Sequence, residues 1–357
     1  MKKIALFLFI ICISCKEERM IVFHKTGIND YKFFPSRNIG SGTSSYSYYN
    51  PQNYKMNYKI DSVDLKYNNL LQSTQTVAFL VIKNDTLLYE KYFDGYQRSS
   101  IVPSFSIAKT FTSALIGCAI HDHLIQSVNQ PITDFIPDLD SSFSKVTINH
   151  LLQMTSGIKF EKFLANTFME DANLYYTGNL RKTIARLKLR YPPGTHFQYN
   201  CGNTFLLGLV LEKALNGKTV SNYLQEKIWE PLQMEYNASW SIDNKKSGLE
   251  KTFCCINATA IDYAKFGALY LKKGNWGGNQ IISPEWVASS LTPDSLGISG
   301  TYNYQWWLIN KNAFAAVGLY GQYIYVNPEK NTIIVRLGKR KKSNEWFNFF
   351  NCIANNL

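Results

Sequence analysis

A serine three residues ahead of a lysine can do acyl-transfer chemistry. The hydroxyl attacks a carbonyl and the amine takes its proton, provided both lie on one helix face and the amine is kept from water. The sequence offers this spacing three times, at Ser106/Lys109, Ser142/Lys145 and Ser156/Lys159, so spacing alone decides nothing. Context separates them. "SSFSKVT" is a polar turn, and in "TSGIKF" a glycine directly follows the serine, as at a helix end. Only Ser106, in "VPSFSIAKTFTSALIGCAI" (102–120), opens a long apolar run with helical spacing. Free backbone N–H groups at a helix start favour negative charge, so the serine's own amide can face a developing oxyanion. One turn on, Lys109 shares that face. Burial among apolar neighbours disfavours its ammonium form and frees the amine as a base, unless the side chain snorkels to solvent.

Other chemistries find no support. There is no G-x-S-x-G elbow, H-E-x-x-H helix or P-loop. His121 and His123 diverge at i, i+2 on a helix, and His150 and His196 read as structural or exposed. The seven cysteines form no CxxC or Cys/His metal spacing, so no metal site is expected, and serine acyl transfer needs no cofactor. Cys254 and Cys255 are expected to line the cleft as free thiols, because adjacent cysteines rarely bridge comfortably. The net charge of +12 is scattered. Its one tight cluster, Lys339 to Lys342, reads as a solvated turn, and without an RNP or zinc-finger signature no nucleic-acid partner is expected.

The elements that must hold the serine can be placed. "MKKIALFLFIICISCKEE" has a basic start, an apolar run too short to span a bilayer, and Ser14 before Cys15. It resembles a bacterial lipoprotein signal (1–15) that would leave Cys15 lipidated and the protein anchored in the cell envelope. An ordinary secretory signal with a stray cysteine is the alternative. Residues 16–60 carry no persistent period and read as an irregular tether. The body, 61–357, shows hairpin signals at both ends: "TVAFLVIKNDTLLYEKYF" turning at Asn84-Asp85, and "GQYIYVNPEKNTIIVRLG" turning at Asn327 to Asn331. Between them lie helical stretches ending at Gly217 and Gly274, and "EWFNFFNCIANNL" closes the chain as an amphipathic helix. This pattern predicts an α+β fold. One antiparallel sheet is built from both chain ends (61–105 and 250–357) and flanked by helices, with a mostly helical region (106–249) inserted.

Further segments add to the serine. "TINHLLQMTSGI" (147–158), "YPPGTHFQYNCGNTFLLGLVLEKALNG" (191–217) and "GLYGQYIYVNP" (318–328) resemble landmarks of the serine β-lactamase and penicillin-binding-protein superfamily. The likeness is to class C β-lactamase-like esterases, and most of all to the 6-aminohexanoate-dimer hydrolase-like branch. It spans roughly residues 62 to 350 in the family's order. It implies Ser106 and Lys109 as the Ser-x-x-Lys motif and Tyr199 as the tyrosine of Tyr-x-Asn, whose third position here is Cys201. At the third motif the chain has Ala316-Val317-Gly318, keeping the glycine and losing the Lys or His. The resemblance then implies an oxyanion held by the backbone amides of Ser106 and Leu319, with Gly318 letting the strand pass close to the substrate.

Both departures fall where β-lactamases contact the substrate's amide and carboxylate. The expectation is therefore an esterase or amidase acting on a small-molecule ester or amide through an acyl-enzyme. A DD-peptidase or class C-type β-lactamase, and a non-catalytic envelope binding protein, are the alternatives. Cys201 reads as filling space beside the site, with a second nucleophile as the other possibility. Asp171, Tyr175 and Tyr176 in "DANLYYTGNL" are candidates for substrate contact, against the commoner role of helix aromatics as core.

Overall fold

The computed structural model describes residues 26–51, 54–159, 169–246, 248–294, 297–340 and 343–357. The signal region with Cys15 lies outside them. Two antiparallel sheets carry the fold. The larger runs β3-β2-β13-β12-β11-β10-β9, from Thr86–Tyr92 (β3) and Thr76–Lys83 (β2) through Thr332–Gly338 (β13), Gln322–Asn327 (β12) and Ala313–Gly318 (β11) to Trp306–Asn310 (β10) and Tyr302–Asn303 (β9). The smaller runs β1-β5-β6-β4, from Ser36–Ile39, Ala238–Ser241, Ile256–Ala258 and Val102–Pro103, and Asn275–Trp276 (β7) pairs with Asn279–Gln280 (β8) in a separate ribbon.

Period-2 alternation explains why the central strands read as unbroken apolar runs. Leu80, Ile82, Ile324, Val326, Ile333 and Val335 face one core. Phe79, Val81, Tyr323, Tyr325 and Ile334 face another. Both faces are covered, so both sides of these strands are mostly apolar. Helices Tyr54–Lys66 (α1) and Trp346–Asn356 (α7) close the second face, through Ile60 and Val63 and through Trp346, Phe349, Phe350 and Ile353 at i, i+3, i+4, i+7. On the first face lie Ala108–His121 (α2), Ile148–Leu152 (α3), Met169–Tyr176 (α4), Cys201–Ala214 (α5) and Ala260–Leu271 (α6). The β2–β3 turn falls at Asn84 and Asp85, both at positive φ (48° and 57°), as a two-residue hairpin requires.

The sequence reading of 16–60 as an irregular tether needs correction over its described part. Ser36–Ile39 is a strand paired with β5, Arg37 opposite Trp240 and Ile39 opposite Ala238. Helix α1 starts inside the supposed tether. The cause is local: "SRNI" is four residues long and buries one side chain, Ile39, so too little alternation exists to be seen.

Candidate active site

Both sheets converge on Ser106. The small sheet delivers it: β4 pairs with β6, and the next residue, Ser104, donates its amide to the Ile256 carbonyl (2.7 Å) while its Oγ accepts from the Ile256 amide (3.0 Å). Phe105 then takes φ +44°, a left-handed conformation that a bulky residue adopts only when its surroundings enforce it. Ser106 sits in the 3-10 turn Phe105–Ile107 that feeds α2. It is partly open, while Val102 to Phe105 before it and all of Ile107 to Ala119 after it are buried.

Lys109 does not snorkel. It is 1% exposed, and its Nζ lies 3.1 Å from Ser106 Oγ, 2.7 Å from the Phe253 carbonyl and 3.4 Å from Cys201 Sγ. The carbonyl can only accept. The hydroxyl and the thiol can each donate or accept. A neutral amine donating to Phe253 therefore keeps its lone pair for the serine proton.

Tyr199 stands on the other side. Asn200 caps α5, its side chain accepting from the Asn203 amide at 3.0 Å, so the spacer residue is used by the helix and its neighbours frame the cleft. The Tyr199 ring centroid is 5.3 Å from Lys109 Nζ. Tyr302 and Trp307 hold the ring at 5.7 and 5.6 Å. The third wall is the end of β11. Gly318 opposes Gln322, and a Cβ on it would lie 2.4 Å from the Ser104 carbonyl, so only glycine lets this strand pass so near the serine. Leu319 follows at the start of the turn Leu319–Gly321, 44% exposed.

The weaker candidates divide. Tyr175 is buried with its ring 6.4 Å from that of Phe105, next to the serine. Tyr176 packs on Tyr175 and Phe34. The Asp171 side chain lies outside the described residues. The Asp30 carboxyl is raised above its ordinary value by burial, a shift that the nearby Tyr175 and Tyr176 hydroxyls partly oppose. Burial also drives Tyr175 well above the usual phenol range. Asp30 and Phe34 were invisible as site neighbours because they belong to the supposed tether.

The decoy pairs are separated as context implied. Ser142 and Lys145 are both exposed, and Ser156 is buried while Lys159 is exposed. His150 completes a capping box with Thr147 at α3, and His196 stacks on Tyr191. Among the described residues, no group of three or more His, Cys, Asp or Glu could hold a metal.

The expectation of free thiols at Cys254 and Cys255 is wrong: the two are joined in a vicinal disulfide. The backbone makes this possible. Cys255 adopts φ +76°, and the turn's carbonyls are pinned, Cys254 O by Trp240 Nε1 (2.9 Å) and Cys255 O by the Ser241 amide (3.0 Å). The bridge directly follows Phe253, the residue whose carbonyl Lys109 contacts.

The beta-lactamase family profile matches residues 67–347. The chain belongs to the beta-lactamase family. It is 25% identical over 291 residues to a 6-aminohexanoate-dimer hydrolase of Paenarthrobacter ureafaciens, covering 75% of this chain and 73% of that one. A Bacillus anthracis structure provisionally named a 6-aminohexanoate-dimer hydrolase superposes with a TM-score of 0.79 at 26% identity, covering 91% of each chain. A class C beta-lactamase in complex with cefoxitin superposes with a TM-score of 0.62 at 18% identity over 85% of this chain and all of that one. That last likeness concerns the fold. As a beta-lactamase-family chain, the protein has the α+β architecture that the sequence pattern predicted, on a scaffold whose members are serine hydrolases.

Proposed function

We propose that this protein is a serine hydrolase that cleaves ester or amide bonds of small linear substrates through an acyl-enzyme on Ser106. The observation that carries this reading is the 3.1 Å approach of Lys109 Nζ to Ser106 Oγ with the amine 1% exposed. Ser106 Oγ forms a bond to the substrate carbonyl carbon and its proton passes to Lys109. The carbonyl π electrons move to oxygen, where the amides of Ser106 and Leu319 receive the charge. One such donor is typically worth about 3–4 kcal/mol. Tyr199 relays the proton to the departing alcohol or amine, and the carbonyl re-forms as that bond breaks. Water then adds to the acyl-enzyme by the same route, releasing the acid and free Ser106.

Substrate preference follows from the two altered motifs. With Cys201 and Ala316 at positions where β-lactamases present an amide and a cation, the cleft keeps the acyl-transfer groups and lacks the usual carboxylate partner. The name of the first-named relative, a 6-aminohexanoate-dimer hydrolase, supports an ester or amide in preference to a β-lactam. The N-terminal sequence supports a lipid anchor at Cys15 and residence in the cell envelope.

The test is intact-mass analysis of wild type and Ser106→Ala after incubation with a fluorophosphonate and with a panel of esters and amides. A chromogenic β-lactam and a nitrophenyl ester are assayed alongside. Adducts on wild type alone, with ester turnover exceeding β-lactam turnover, are expected. Equal labelling of both proteins would remove Ser106 from the mechanism, and β-lactam turnover equal to that of the ester would transfer the protein to the β-lactamase reading.

A further inference from the structure

Arg336 is a fully buried guanidinium, 0% exposed, in the middle of an apolar strand, β13. A charge there is costly unless it is compensated. Among the described residues no carboxylate pairs with it. Its donors go instead to oxygens from three segments, one of them the Arg340 carbonyl, which accepts from Nη2 at 3.2 Å. Nε donates to Thr76 Oγ1 (3.0 Å) and Nη2 to the Thr74 carbonyl (2.8 Å), at the start of β2. Nη1 donates to the carbonyls of Tyr320 (2.6 Å) and Gly321 (2.8 Å). The Trp346 ring lies 4.6 Å from Cζ. Two glycines clear the space: a Cβ on Gly321 would come within 2.5 Å of Nη1, and one on Gly338 within 2.2 Å of Cζ.

The two carbonyls are those of the residues directly after Leu319. Tyr320 and Gly321 both have positive φ, +62° and +75°, so consecutive carbonyls converge on one donor group. For Tyr320 that conformation needs enforcement, and the planar fork of a guanidinium can take both oxygens at once. The turn is tied at its ends as well. The Gln322 side chain exchanges two hydrogen bonds of 2.8 Å with the backbone of Gly338, and Gly318 lies against the Ser104 carbonyl, two residues before Ser106. Leu319 is left as the projecting, partly exposed residue of an otherwise clamped turn.

We propose that Arg336 is a positioning residue for hydrolysis. By clamping the Tyr320 and Gly321 carbonyls from β13, the neighbour of the β12 strand that follows the turn, it aims the Leu319 amide at the substrate's carbonyl oxygen. This rests on the reading of Leu319 as an oxyanion donor. Arg336 does not touch substrate; a shift of the turn by a fraction of an ångström is enough to misalign a donor that must meet the oxyanion at hydrogen-bond distance.

The test uses the full chain with Arg336→Lys and Arg336→Met, measuring nitrophenyl-ester kinetics and amide hydrogen exchange of the 318–322 segment. Arg336→Met is expected to lower kcat about 100-fold, the size of one lost oxyanion donor. KM should stay within about twofold, and exchange at 318–322 should rise above that of the rest of β12 and β13. Arg336→Lys, which keeps the charge and some of the donors, should recover part of kcat. Should Arg336→Met not fold, Thr76→Val, which removes one anchor and leaves the guanidinium, carries the same two readouts at smaller amplitude. Unchanged exchange at 318–322, or raised exchange with unchanged kcat, overturns the proposal. A wild type with no Ser106-dependent turnover overturns the hydrolase reading itself, and the exchange measurement still decides whether Arg336 holds the turn.

Discussion

Among the described residues three lysines are almost completely buried, Lys109, Lys251 and Lys265, and one of these, Lys109, adjoins a partly open nucleophile. Lys265 lies on α6, its amine donating to the Gln233 carbonyl (2.7 Å) with the Asp262 carboxylate 3.9 Å away. Lys251 donates to the carbonyls of Leu174 and Thr177. These partners of Lys251 and Lys265, carbonyls and a carboxylate, accept, and both amines lie inside closed packing. Lys109 has one such carbonyl and two partners, a hydroxyl and a thiol, that can return a proton. Burial of an amine therefore does not mark a base. What marks it is a partner with a transferable proton beside an opening to solvent.

The comparison can be broken most directly at Lys109. Lys109→Met is expected to lower Ser106-dependent ester turnover at least about 1,000-fold, whereas Lys265→Met should remain within about threefold of wild type. A Lys265 variant that folds and is equally inactive would abolish the distinction. The next largest effect belongs to Tyr199. Tyr199→Phe keeps the ring between Tyr302 and Trp307 and deletes the hydroxyl, and should cost about 100-fold in kcat. A loss below about threefold would assign the relay to another group.

The smallest effect sharpens the contrast through pH. Burial lowers Lys265 from its ordinary 10.5 to about 8, and burial raises Asp262 from 3.8 to about 6. Between pH 8 and 10.5 the unfolded chain still carries the Lys265 proton that the folded chain has released, so this group makes stability rise with pH across that window. Denaturant midpoints of wild type should show this upward contribution and those of Lys265→Met should lack it. An identical pH dependence in both would mean that Lys265 is fully charged in the folded protein.

The parts of the fold legible in the sequence were those with a long enough period. The β2–β3 and β12–β13 hairpins, α2, and the closing helix α7 all repeat their pattern over six or more residues between clear turn signals. The small sheet was not legible, because its strands are two to four residues long. With it went the wall formed by Asp30 and Phe34. The vicinal disulfide escaped because its feasibility rests on one left-handed residue, Cys255, held by Trp240 and Ser241 from another strand. Arg336 did leave a mark, a lone cation inside "TIIVRLG", although its use depends on glycines at 321 and 338 that only the fold brings alongside it.

The sequence by itself determined which chemistry was on offer. A hydroxyl one helical turn from an amine in an apolar run, and a glycine where the end of a strand must pass closely, are local facts written in side-chain type and spacing. Tertiary structure decided which of three buried lysines faces a proton donor, where the Phe253 carbonyl lies, and how the turn carrying Leu319 is held. Those depend on hydrogen bonds between residues more than ninety positions apart or on different strands, and a direction in space between such groups is not encoded in any local pattern.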